Sequence, residues 1–151
     1  MERVVQRFKY EGCRPLATPL ARLVADRMAL EGLAAAEVVA VPLHAARQRQ
    51  RGYNQSELLA RNLRQSLALG RPPGNLERVR PTTPQVGQDR LRRLDNVRGA
   101  FRWVGQPLGG RPLLLIDDVV TTGATLEACA AALKAGGAGA VTGLAVARVP
   151  F

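Results

Sequence analysis

Lysine is almost missing from this chain. Lys9 and Lys134 are the only two in 151 residues, so the formal net charge of +10 rests on arginine. Such a charge suggests a polyanionic partner: nucleotide phosphates, diphosphate or nucleic acid. Abundant Arg, Ala and Gly beside so little Lys also reads as base-composition bias, which lowers the weight of that sign. Cysteine is equally scarce. Cys13 and Cys129 form no metal-type or redox spacing, so a disulfide framework and a cysteine zinc site are excluded, and reduced thiols are expected. Histidine occurs once, at His44, and a lone histidine is more often a hydrogen-bonded structural residue than a base. Aromatics are few: Phe8, Tyr10, Tyr53, Phe101, Trp103 and Phe151 make a thin set for stacking nucleic-acid bases. There is no long apolar run and no signal segment, so no membrane span is expected and the chain reads as soluble and cytoplasmic. No Gly-x-x-x-x-Gly-Lys-Ser/Thr loop occurs, which excludes a P-loop. No Gly-x-Gly-x-x-Gly follows an early strand, so a dinucleotide fold lacks its phosphate loop. Internal repeats and low-complexity linkers are absent too.

What is present centres on Leu113 to Thr125, LLLIDDVVTTGAT. Four bulky apolar residues run into two carboxylates, Asp117 and Asp118. The lack of alternation suits a parallel strand covered on both faces. A hydroxyl-rich turn follows, then Leu126, Cys129, Ala130 and Leu133 at helix spacing. A helix start offers unpaired backbone N–H groups and a partial positive charge, so it binds anions. Threonine hydroxyls add donors, and Gly123 lets the backbone come close. This pattern suits a phosphate monoester. The carboxylates would repel that phosphate. They could instead accept hydrogen bonds from two neighbouring hydroxyls, or hold a hydrated Mg²⁺. A sugar 5-phosphate with a free 2,3-diol fits both halves. A lone Asp-Asp at a strand end usually marks only a solvated loop, but the whole run is far more specific.

At this length one domain, residues 1–151, is expected. Residues 3–9 could be a short helix or an edge strand. Thr18-Pro19 reads as an N-cap and first-turn proline, with a helix over 19–30 and an apolar stripe of Leu20, Leu23, Val24 and Met28. EVVAVPL, 37–43, reads as a central buried strand. A basic loop follows over 44–52, with Arg47, Arg49 and Arg51 at alternate positions, a cationic collar suited to phosphate oxygens. Asn54-Gln55-Ser56-Glu57 reads as a capping box. The helix it opens has Leu59, Leu63 and Leu67 inward and Arg61, Arg64 and Gln65 outward. Short strands are expected over 75–80 and 100–104 and a last one over 140–146. Between the first two, residues 81–96 form a long loop with little apolar pattern, which is usually functional or disordered. The order predicts an α/β fold, a parallel sheet flanked by helices, with ligands at the carboxyl ends of its strands.

The Asp117–Thr125 run closely resembles the phosphoribosyl diphosphate (PRPP) motif of the type I phosphoribosyltransferases. VPLHAARQRQRGYNQSELLA, RVRPTTPQVGQDRLRRLDNVRGAF and IDDVVTTGATLEACAAALKAGGA closely resemble three blocks of the ComF family, competence-associated phosphoribosyltransferase-like proteins. The resemblance implies that Asp117 and Asp118 are the catalytic pair and hold the ribose hydroxyls. It implies that Thr121, Thr122, Gly123, Ala124 and Thr125 cradle the 5-phosphate. It implies a diphosphate loop at His44, Ala45, Ala46, Arg47 and Arg51, and a flexible catalytic loop over 81–96 with Thr82, Gln85, Arg92 and Arg93. Mg²⁺ would arrive with PRPP, without direct protein ligands. The implied activity is transfer of the phosphoribosyl group to an unknown nitrogen acceptor. The other reading is a non-enzymatic competence or DNA-uptake factor that binds single-stranded DNA and retains a PRPP site. Expected partners are PRPP or a ribose 5-phosphate ligand, single-stranded DNA on the second reading, and a second copy of the chain as a homodimer. Many family members begin with a four-cysteine zinc module. This sequence shows none, so zinc binding is not carried over. Without an amidotransferase domain, a complete glutamine-dependent amidophosphoribosyltransferase is excluded.

Overall fold

In the computed structural model, residues 7–8, 13–43, 48–49, 52–80 and 97–149 are described. The fold is organised around β4, Leu113–Val120, the middle strand of a three-stranded parallel sheet. β1, Glu37–Ala40, lies on one side with Val39 opposite Leu115. β5, Val141–Arg148, lies on the other, with Leu115 opposite Gly143. Leu114, Leu115 and Ile116 are wholly buried and Leu113 nearly so. Side chains of successive strand residues leave opposite faces, so this unbroken apolar run needs a cover on both.

The covers are helices. α1, Ala17–Leu30, and α2, Gln55–Leu67, lie on one face. Their Leu20, Val24, Met28, Leu59 and Leu63 pack with Val38, Leu114 and Ile116. α3, Ala124–Ala135, covers the other face, where Cys129 and Leu133 meet Leu113 and Leu115. β2, Gly74–Arg78, and β3, Phe101–Gly105, complete that second core through Leu76 and Phe101. Burying a side chain of this size stabilises by about 1.5–3 kcal/mol, so the two clusters dominate the energetics.

Several expectations change. β1 is buried but not central. Among the described residues the backbone of its outer edge pairs at a single bridge, Glu37 with Gly70. Beyond Gly70 come Arg71, Pro72 and Pro73, and prolines have no N–H to continue a ladder. β2 therefore leaves β1 and pairs antiparallel with β3, from Gly74 opposite Gly105 to Arg78 opposite Phe101. So the short strands expected over 75–80 and 100–104 form a separate ribbon and not part of the parallel sheet. The first helix also starts early. A 3-10 turn, Arg14–Leu16, runs directly into it, and no side chain caps it. Thr18 is not the cap; its hydroxyl bonds the Asn62 side-chain oxygen of α2 at 2.9 Å. Leu23 and Leu67 face outward, at 50% and 39% exposure. Arg64, expected in water, is half-buried. Its guanidinium donates to the Val38 carbonyl at 3.3 Å and pairs with Glu57 at 2.6 Å. It covers the strand edge that β2 leaves open. Among the described residues no helix is long and apolar enough to cross a membrane.

Candidate functional site

The expected motif occupies one place: the carboxyl end of β4, the turn 121–123 and the start of α3. Asp117 is half-buried and Asp118 is buried at 8% exposure. Asp117 Oδ1 accepts from the Ser56 hydroxyl at 3.0 Å and from the Asp118 N–H at 2.8 Å. Asp118 Oδ1 accepts from the Val119 N–H at 2.7 Å. β1 ends at Ala40, and the last bond on that side runs from Val41 N–H to Ile116 O at 2.9 Å. Asp117 thus stands just past the end of its neighbour strand, which is where a parallel sheet opens to ligands.

The turn then reverses into α3. Gly123 is the N-cap, at φ +86°. That left-handed conformation costs other residues about 1–2 kcal/mol, so glycine is the residue that fits. Thr121 is exposed, while Thr122 and Thr125 are half-buried. The Thr122 hydroxyl oxygen accepts loosely from the Ala124 N–H, at 3.4 Å. Ala124 is buried at 4% exposure and so anchors the first turn to the core. The resulting helix start can receive an anion through its unpaired N–H groups. Glu127, in the first turn, brings a competing negative charge; Gly123 was read for the motif and Glu127 was not. Its carboxylate lies 3.8 Å from where a Cβ on Gly123 would sit.

Cys129 lies beneath this site, fully buried. Burial pushes its thiol far above the usual range, the Asp117 charge adds to that, and Arg78 opposes it. The thiol therefore stays protonated and is a packing group, as its position in the apolar stripe suggests. Arg78 lies with its guanidinium 5.5 Å from the centre of the Phe101 ring, at the ribbon end nearest the NVRGAF block. Arg80 reaches the Arg98 carbonyl at 2.8 Å. These two arginines hold the ends of β2 and β3 together, a role that their spacing alone did not reveal.

The diphosphate positions His44, Ala45, Ala46, Arg47 and Arg51 lie outside the described residues. So does the loop over 81–96, with Thr82, Gln85, Arg92 and Arg93. Ser56 is a site residue that the sequence reading missed. It was read only as part of a helix cap, yet it touches Asp117 across 61 positions of sequence. A separate, open cleft lies between the outer edge of β1 and β2. Its polar side chains already serve each other: Arg64 holds Glu57, and Arg71 donates to Asn75 at 2.9 Å. The site of interest is therefore the carboxyl end of β4, where Ser56 holds Asp117 and the turn into α3 begins.

The chain is thus an α/β protein: a parallel sheet flanked by helices, with a carboxylate pair and a threonine turn at the carboxyl end of its middle strand. The chain is a homologue of the ComF and YhgH proteins. DNA utilization protein YhgH of Salmonella typhi is 34% identical over 143 residues, covering 91% of this chain and 63% of its own length. Competence protein F of Haemophilus influenzae is 34% identical over 131 residues, covering 82% of this chain and 57% of its own. The chain thus spans less than two thirds of the length of these curated relatives. No family model matches it. Among solved structures, a Trypanosoma cruzi hypoxanthine phosphoribosyl transferase aligns over 93% of this chain and 75% of its own, at 15% identity and a TM-score of 0.47. Leishmania donovani UMP synthase aligns over 97% of this chain and 29% of its own, at 13% identity and a TM-score of 0.49.

Proposed function

We propose that the chain binds PRPP at the carboxyl edge of β4 and transfers its phosphoribosyl group to a nitrogen acceptor. One observation carries this reading. A pair of carboxylates held by protein donors precedes, by a four-residue step, a helix start opened by a left-handed glycine. The helix start and the threonine turn would take the 5-phosphate. Asp117 and Asp118 would accept from the ribose hydroxyls. In the reaction the acceptor nitrogen forms a bond to the anomeric carbon while the bond to diphosphate breaks, and the acceptor then loses a proton. The transition state has oxocarbenium character, as in glycoside chemistry. No covalent protein nucleophile is required, and anchoring and leaving-group stabilisation do the work.

Mg²⁺ fits this site only in a particular way. Among the described residues no group of three His, Cys, Asp or Glu side chains converges as a metal site. If Mg²⁺ arrives with PRPP, Asp117 and Asp118 are the residues that would hold it, through water. When bound, Mg²⁺ would neutralise the departing diphosphate. Titration calorimetry with Mg-PRPP, joined to a diphosphate-release assay over a panel of bases and amines, tests the proposal. Binding with release is the expected result. No heat on mixing with Mg-PRPP would reject it.

A second reading rests on the relatives' names, one a DNA utilization protein and one a competence protein, and on the net charge of +10. On this reading the arginine-rich surface holds single-stranded DNA. Affinity should then fall steeply with salt, through counterion release, and show little sequence preference. Fluorescence anisotropy of a labelled oligonucleotide across a salt series reads this out. The absence of binding at low salt removes the reading.

A further inference from the structure

The RGYNQS segment has one member whose contact no cap requires. Asn54 is the N-cap of α2, and its side-chain oxygen accepts from the Ser56 N–H at 3.0 Å. Its amide donates to the Val41 carbonyl at 3.0 Å, just past the end of β1. Those two bonds complete the local cap. The Ser56 hydroxyl adds nothing to it. That hydroxyl sits on a residue only 3% exposed, and it points away from its own helix to Asp117 Oδ1, 3.0 Å away on β4. A carboxylate turns about a broad two-fold torsion, so its plane is not fixed by rotamer preference alone. Two donors on one oxygen, Ser56 Oγ and the Asp118 N–H, fix that plane. The N-terminal end of α2 also presents its positive pole beside this carboxylate.

We infer that Ser56 is a positioning residue: it sets the plane of the Asp117 carboxylate, and so its aim at a ribose hydroxyl. This rests on the proposed PRPP reading. It extends that reading by tying the first block of the motif to the third through one hydrogen bond. The bonds from Val41 to Asn54 to Ser56 to Asp117 join β1, α2 and β4, so the carboxylate is registered against both strands that border the opening.

The test uses Ser56→Ala, Asp117→Ala and the double variant, with two probes, ribose 5-phosphate and inorganic phosphate. A misaimed carboxylate should cost ribose 5-phosphate about tenfold in affinity, the lower end for a hydrogen bond to a charged group. Inorganic phosphate does not use the diol, so its affinity should stay at the wild-type value. In the Asp117→Ala background, Ser56→Ala should have no further effect on ribose 5-phosphate. Equal losses for both probes, or a loss that persists without Asp117, overturn the inference in favour of general damage to α2. Melting temperatures of the four ligand-free proteins give an independent reading. Coupled shifts support the Ser56–Asp117 link, and additive shifts overturn it whatever the ligands do. Coupled shifts with no ribose 5-phosphate binding by the wild type would sink the PRPP reading alone and leave the hold of Ser56 on Asp117 standing.

Discussion

Asp117→Asn and Asp118→Asn should each weaken Mg-PRPP binding by about 1.5–3 kcal/mol, the range for hydrogen bonds to a charged group. Asparagine keeps the shape of the side chain and one acceptor oxygen. It removes the charge that makes a bond to a ribose hydroxyl short and strong. The local structure should survive the change. The donors to Asp117 Oδ1 and Asp118 Oδ1 include a hydroxyl and backbone N–H groups, and an amide oxygen accepts from these as well. Alanine would be a poorer choice here, because it also cuts the bond to Ser56. The two sites should differ in a second respect. Asp118 is buried at 8% exposure while Asp117 is half-buried, so an unsatisfied amide at 118 should also lower the melting temperature. Calorimetric titration of both variants gives the affinities, and thermal melts give the stabilities. Unchanged affinity in both variants would remove the ribose assignment.

Part of this architecture is legible in the sequence, and the reasons are local. The run Leu113–Ile116 has no polar break, which suits a strand buried on both faces. The threonine turn and the glycine before Ala124 mark a helix start by chemistry that acts within a few residues. Both lie where they were expected. Leu59 and Leu63 face the core as their spacing predicts, because that face is set within one helix. What was misread depends on distant partners. The composition of residues 75–78 says strand but not which strand it joins. Pro72 and Pro73 decide that by denying β2 the donors for a ladder with β1, and β3 takes its place. Arg64 looked like a surface residue because the Val38 carbonyl, on another element, comes beside it only in the fold. Ser56 was invisible as a site residue for the same reason. Its cap role is local, while its bond to Asp117 spans 61 positions of sequence and has no signature of its own. The start of α1 at Ala17 shows the opposite weakness, where a good local cap signal at Thr18 loses to a continuous path from the preceding 3-10 turn.

The largest stability change is expected for Leu114→Ala, a loss of about 2–5 kcal/mol by removal of buried methyl groups and the cavity that remains. Leu114 is wholly buried in the middle of the central strand, with Val38 beside it on β1 and Thr142 on β5. Its side chain enters the core formed with α1 and α2, among Leu20, Val24, Leu59 and Leu63. These come from two separate helices, so none can move in to fill the space without breaking its own contacts, and close-packed interiors relax only in part. For a chain of this size each kcal/mol lowers the melting temperature by about 2–4 °C, so the shift should be several degrees or more. Leu30→Ala is the matched control. Leu30 sits at the end of α1 at 83% exposure, so the same chemical change there should stay within about 0.5 kcal/mol. Scanning calorimetry on the two variants compares them directly. Comparable losses would mean that β4 is not the centre of the core. A large loss at Leu114 alone has a further consequence at the sheet edge. Asp117 lies three residues along the same strand and is held from α2, so loosening the packing between that strand and that helix should also loosen the carboxylate. Ligand affinity in the folded Leu114→Ala protein, measured well below its melting temperature, should therefore fall, while in Leu30→Ala it should match the wild type.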